Sequence, residues 1–267
     1  MCGIVGYIGE RQAADVLVKG LSRLEYRGYD SAGVAVVNGS LEVRKKTGKV
    51  SALSADILNS YPKGQLGIGH TRWATHGAPN DTNAHPHESS DGSFALVHNG
   101  IIENYTALRQ SLTDRGYSFK SQTDTEVLVR LIEDVLKTTG LSLGKAIQQA
   151  LSQVKGTYGI AVVSSEDPDM LIAARKGSPL ILGVGNGEYF LGSDAAPIIE
   201  YTRQVVYLND GELVIVRRDG FKVFSVENVA LNKTIHELEW DLEQIEKGGY
   251  EHFMLKEIFE QPDAISN

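Results

Sequence analysis

Cysteine is almost absent from this chain: Cys2 is the single one in 267 residues. No internal disulfide framework is available, and a reducing compartment, with a cytoplasmic address, is the expectation. Long apolar runs are missing too. No uninterrupted stretch approaches the roughly 18 residues of a membrane-spanning helix, and the amino terminus lacks the basic and long apolar regions of a signal peptide, so a soluble protein is expected. Positive charge is in deficit, with 26 Lys and Arg against 34 Asp and Glu and a net charge of -8. That balance disfavours nonspecific nucleic-acid binding, which needs basic surface to displace counterions, and favours solubility. There is no internal repeat and no low-complexity tract. What remains, 42% hydrophobic and 22% charged, is ordinary globular composition at a length that can bury a substantial core.

Strand-like runs dominate. Ala32 to Val37 and Leu41 to Lys46 flank the turn signal Asn38-Gly39-Ser40 and read as a hairpin. Leu66 to Ala74 and Ser93 to Asn99 read as two more strands across a polar, proline-containing loop, and several short strands follow between residues 159 and 226. Helices are expected in three places. Ala14, Leu17, Val18, Leu21 and Leu24 form a core-facing stripe on a helix over Gln12 to Tyr26. Val127, Leu128, Leu131, Ile132, Val135 and Leu136 form another behind Asp124, and Leu143 to Val154 supplies the third. Grouped strands and clustered helices predict an α+β fold with antiparallel sheets, sheet packed on sheet and helices outside. From Asn228 onward the alternation fades and acids accumulate, including Glu237, Glu239, Asp241, Glu243 and Glu246, before Gly248-Gly249 and an amphipathic segment expected to lead into a further domain.

The lone thiol stands directly behind Met1. Removal of Met1 would make Cys2 the first residue, with a nucleophilic thiol and an α-amine of pKa roughly 7.7 to 8.0 that can take up a proton without a separate histidine. Five of the seven histidines lie between residues 70 and 100. They are spread over a strand, a proline-broken loop and a second strand, not at knuckle or helical spacing, which weighs against a metal site. Strand alternation puts His70 and Arg72 on one face and Thr71 and Trp73 on the other. Asn99-Gly100 is a favoured turn pair, and it can also act as an oxyanion hole through the Asn carboxamide and the Gly N–H. A terminal thiol with such a hole implies acyl transfer through a thioester. Arg72 can grip a carboxylate and Asp124 an ammonium, a pairing that suits a free amino acid. Each also has an ordinary alternative, as a surface ion pair and as a helix N-terminal charge.

The runs MCGIVG (1 to 6), LEYRGYDSAG (24 to 33), HTRWATHG (70 to 77), NAHPH (83 to 87), HNGIIEN (98 to 104), TDTE (123 to 126) and KEIFEQP (256 to 262) resemble the class II glutamine amidotransferase domain. Within that class they are most similar to the branch that forms glucosamine 6-phosphate. The resemblance implies the N-terminal-nucleophile hydrolase fold, a four-layer αββα sandwich of two antiparallel sheets. It implies Cys2 as nucleophile, Asn99 and Gly100 as oxyanion hole, Arg72 for the carboxylate and Asp124 for the amine of L-glutamine. Thr75, His76 and Gly100 would shape the pocket, Trp73 would shield the ammonia route, and Arg27 with Tyr29 would belong to a loop closing over the glutamine site. Residues 1–226 would form the glutaminase domain, and 227–267 its C-terminal part and the start of a linker to a sugar-isomerase domain that binds fructose 6-phosphate, the full enzyme being a homo-oligomer. No metal or organic cofactor is required by this mechanism. Two other readings stay open: another class II enzyme with a different ammonia acceptor, and a catalytically silent regulatory module.

Overall fold

The computed structural model describes residues 2–238, 250 and 253–266. Met1 and the acidic stretch from Glu239 to Gly249 lie outside the described residues. Two sheets carry the structure. One has eight strands in the order His236–Glu237 (β15), Gln204–Tyr207 (β11), Ile181–Val184 (β9), Tyr189–Gly192 (β10), Gly3–Ile8 (β1), Leu66–Arg72 (β4), Ser31–Asn38 (β2) and Ser40–Thr47 (β3). The other has seven, in the order Ala230–Leu231 (β14), Gly220–Ser225 (β13), Glu212–Arg217 (β12), Leu171–Lys176 (β8), Gly156–Ser164 (β7), Phe94–Ile102 (β6) and His87–Glu88 (β5). Every paired strand within them runs antiparallel.

Strand alternation builds the layers. In β1, Ile4 and Ile8 point between the sheets and join Ile68, Val97, Ala161 and Leu171 in a central core. Val5 and Tyr7 point outward and pack under the helices Ala13–Arg23 (α1) and Val50–Asn59 (α2) with Leu17, Leu21 and Leu53. On the far side, Phe94, Leu96, Ile160 and Ile172 pack against Tyr105–Asp114 (α3), Asp124–Thr139 (α4) and Leu143–Leu151 (α5). The result is the expected four-layer αββα sandwich. A last helix, Phe253–Ser266 (α6), follows, and no described helix is long and apolar enough to cross a membrane.

The expected hairpin forms, with Asn38 opposite Ser40 and Gly39 at φ +69°. The expected turn at Asn99-Gly100 does not. Both residues lie inside β6, paired with Gly159 and Tyr158 of β7, so tertiary pairing overrides the local turn preference. Two helices went unseen in the sequence reading, α2 and α3. In α3 the apolar stripe is only Tyr105, Leu108 and Leu112, of which Leu112 alone is fully buried, so the signal is short and weak.

Helix α4 supports the site and is held at both ends. The Thr123 side chain accepts from Glu126 N, and the Glu126 carboxylate accepts from Lys120 N and Ser121 N. Gly140 closes the helix in the left-handed conformation. Its outer face is covered as well: Arg130 is buried between Glu126 and Glu133, at 3.2 and 2.7 Å.

Four histidines are buried beside this helix: His70, His85, His87 and His98. His70, His85 and His87 form a column with ring centroids 4.3 and 5.0 Å apart. Thr125 Oγ1 lies 3.0 Å from His98 Nδ1 and Thr123 Oγ1 3.0 Å from His87 Nε2, so two of the rings reach α4. Burial disfavours the charged form of each and pulls all four below the ordinary histidine value, with the Arg72 charge adding to the effect on the column. Above pH about 6.5 the rings are neutral in both folded and unfolded chains. As pH falls through that value the unfolded chain takes up protons that the folded one refuses, so stability drops on the acid side. The urea midpoint at pH 5 should therefore lie well below that at pH 7.5, each refused proton costing about 1.4 kcal/mol per pH unit. An unchanged midpoint would show that these rings are not held neutral by the fold.

Candidate active site

Pairing of β1 with β4 sets Gly3 opposite Thr71 and Ile4 opposite His70, which carries Cys2 to the end of β4 beside Arg72 and Trp73. The Cys2 Sγ accepts a hydrogen bond from Trp73 N at 3.2 Å and lies 3.6 Å from Trp73 O. Burial raises the thiol pKa above its ordinary value, while the Trp73 N–H and the charges of Arg72 and Arg27 pull the other way. A thiol so placed needs a base to become a nucleophile.

Asn99 reaches across from the second sheet. Its Nδ2 donates to the Cys2 carbonyl at 3.1 Å, and its Oδ1 lies 2.9 Å from His70 Nε2. Gly100 follows at φ +137°, where a Cβ would stand 2.2 Å from Thr157 O. Only glycine fits that backbone and that approach.

Arg72 is buried at 4% exposure. Its Nη2 donates to the His76 carbonyl, and its Nη1, also buried, has no hydrogen-bond partner among the described residues. A buried guanidinium N–H without an acceptor is costly, and a carboxylate would satisfy it. Burial lowers the Arg72 pKa, against the opposing charges of Cys2, Asp124 and Asp30. Asp124, at the first turn of α4, accepts from Ile102 N through Oδ2 at 2.9 Å, which ties the carboxylate to the end of β6. The Asp124 charge is also felt at His98.

The remaining expected residues form the rim. Thr75 Oγ1 lies 3.4 Å from His76 Nδ1, and the His76 ring meets Tyr105 edge-on at 5.3 Å. Trp73 is 45% exposed and packs edge-on against Tyr29 at 5.5 Å, itself half-exposed. Arg27, by contrast, is buried and donates through Nη1 to Asp194 Oδ2 at 2.8 Å, so its guanidinium is tied to the end of β10.

Sequence reading overlooked the braces behind these groups. Asp30 donates its N–H to Arg72 O at 3.0 Å and accepts from Ala74 N through Oδ2 at 2.8 Å, clamping the backbone that holds the thiol. Gly28 lets this turn close, since a Cβ there would stand 2.7 Å from Arg72 C. Ser193 accepts from Ile4 N at 3.0 Å and fixes the start of β1 from the other side. None has a local signal, because each acts on residues tens or hundreds of positions away. Among the described residues no group of three or more His, Cys, Asp or Glu side chains is arranged to hold a metal ion.

The site therefore joins a thiol, a carboxamide donor, a guanidinium with an open N–H and an anchored carboxylate. Comparison with known proteins gives this constellation a family. Residues 39–239 match the glutamine amidotransferase domain. The glutamine--fructose-6-phosphate aminotransferase (isomerizing) of Chlorobaculum tepidum is 58% identical over 99% of this chain, which spans 44% of that protein. The protein of the same name from Pyrococcus horikoshii is 52% identical over the whole chain and 45% of its own length. Among solved structures, the glutamine phosphoribosylpyrophosphate amidotransferase of B. subtilis superposes with a TM-score of 0.74 at 28% identity, covering 84% of this chain and 49% of that one. With the αββα sandwich shared and most of the sequence matched, the chain belongs to the glutamine amidotransferase family.

Proposed function

We propose that this chain hydrolyses L-glutamine to glutamate and ammonia at Cys2, after removal of Met1. The observation that carries the reading is the contact between Asn99 Nδ2 and the Cys2 carbonyl, which brings an oxyanion donor to a terminal thiol. The Cys2 α-amine takes the thiol proton as Sγ bonds to the side-chain amide carbon. The negative charge passes to the amide oxygen, held by Asn99 Nδ2 and Gly100 N–H. The C–N bond then breaks, the ammonium returns its proton to the nitrogen, and ammonia leaves a thioester. Water adds to the thioester with the amine again as base, and collapse releases glutamate and the thiol.

Substrate recognition follows from charge. Arg72 Nη1 takes the α-carboxylate and Asp124 the α-ammonium, so both ends of the amino acid are bound before the side chain reaches the thiol. Thr75, His76 and Gly100 shape the pocket, Trp73 shields the ammonia exit, and Arg27 and Tyr29 belong to the segment that covers the glutamine. Residues 1–226 form the body of the domain, and 227–267 complete it and begin a linker. In a longer protein of the kind its relatives represent, ammonia would pass to fructose 6-phosphate on an isomerase domain, giving glucosamine 6-phosphate.

Cys2→Ala should reduce ammonia release from glutamine to the uncatalysed background, and protein whose intact mass retains Met1 should be equally inactive, because the amine is then an amide. Activity in either form would remove Cys2, or its amine, from the reaction. Arg72→Gln and Asp124→Asn should each raise KM for glutamine by on the order of 10- to 100-fold, as expected for losing a charge-assisted hydrogen bond. Steady-state kinetics would refute these roles if kcat/KM stayed within about threefold of wild type.

A further inference from the structure

A carboxamide can present either its oxygen or its nitrogen to a given neighbour, and only the surrounding hydrogen bonds decide which. Around Asn99 two neighbours make the decision together: the Cys2 carbonyl, which requires the amino group, and His70, which holds the oxygen. The His70 Nε2 lies 3.1 Å from the His98 carbonyl oxygen as well as 2.9 Å from the Asn99 side chain. A carbonyl can only accept, so Nε2 bears the proton, and a protonated Nε2 cannot face an NH2 group. The Asn99 oxygen is thereby turned to His70 and its nitrogen to Cys2.

The ring itself cannot turn. It is fully buried and packs against His85 at a 33° tilt, ring centroids 4.3 Å apart. Burial holds its pKa at about 3, so it stays neutral at any working pH. Its other nitrogen, Nδ1, is buried with no hydrogen-bond partner among the described residues. The fold thus accepts an unsatisfied polar atom while directing Nε2 at Asn99 and the carbonyl preceding it. The Asn99 amino group has two protons. The Cys2 carbonyl takes one, and the other is available for an oxyanion.

Resting on the glutaminase reading above, we propose that His70 is a positioning residue: its Nε2–H locks the Asn99 carboxamide with the amino group toward the reacting carbonyl. Because the oxyanion is absent from bound glutamine and develops only as the thiol attacks, loss of this lock lowers kcat and leaves ground-state binding by Arg72 and Asp124 in place.

The test uses Met1-free protein carrying His70→Leu, which removes the donor, and His70→Gln, whose Nε2 reaches about as far as the imidazole Nε2. His70→Leu should lower kcat about 10- to 100-fold with KM within about twofold of wild type, and His70→Gln should recover most of the loss. Alkylation of Cys2 by iodoacetamide forms no oxyanion, so its rate should be unchanged in both variants. Adding His70→Leu to Asn99→Ala should cost nothing further, since the two residues act as one unit. Wild-type kcat in His70→Leu, a parallel fall in alkylation, or losses that multiply in the double variant would each overturn the assignment. Failure of wild-type protein to hydrolyse glutamine would instead remove the functional reading itself, and this inference with it.

Discussion

The antiparallel pairing of β1 with β4 governs the chemistry of this protein. Six consecutive register pairs, from Gly3 with Thr71 to Ile8 with Leu66, leave the residue before β1 one possible location. Strand periodicity then decides which groups share its side of the sheet. Residues at even positions in β4, His70 and Arg72, face the central layer on the same side as Ile4, and Cys2 extends that row. A one-residue slip would send the thiol under α1. The two β-strands flanking this pair, β10 and β2, carry Ser193 and Asp30 next to their ends, and both brace the register from outside.

The second sheet contributes what the first cannot. Asn99 and Gly100 lie in the second half of β6, and α4, which packs behind that strand, brings Asp124 to its last residue, Ile102. The two walls meet through a few polar contacts in otherwise apolar surroundings, where hydrogen bonds and charges act more strongly than in water. The histidine column belongs to this seam. Its rings pack at tilted or edge-on angles with a nitrogen at the edge, so His70 fills a core position and still hydrogen-bonds Asn99, as His87 does with Thr123 and the neighbouring His98 with Thr125. An aliphatic side chain would do only the first.

The parts legible in sequence were those with a local period. The stripes on α1 and α4 expose one apolar face over several turns, and the hairpin at Gly39 has a turn residue between two β-rich runs. Alternation also put His70 and Arg72 on one face correctly. Contacts between distant segments were not legible. Asn99-Gly100 carries a turn signal, yet β7 pairs through it, and no local pattern announces that the Arg27 guanidinium meets Asp194, 167 positions away. The role of His70 needs the spacing between two sheets, which no window of the sequence contains. The burial of Glu126, Arg130 and Glu133 was equally hidden, because the polar face of a helix looks the same whether water or a loop covers it.

The position of β1 has a consequence for synthesis on the ribosome. This strand is central: it pairs on one side with β4 and on the other with β10, which ends at Gly192. At about 5 to 20 residues per second, roughly ten to forty seconds separate emergence of the first residues from that of the last strand that encloses them. Throughout that interval β1 has no β10 beside it, and Ser193 is not yet there to accept from Ile4 N. The segment that carries Cys2 therefore reaches its final surroundings only after well over half of the chain has been made, so this wall of the site is completed late although it lies early in the sequence.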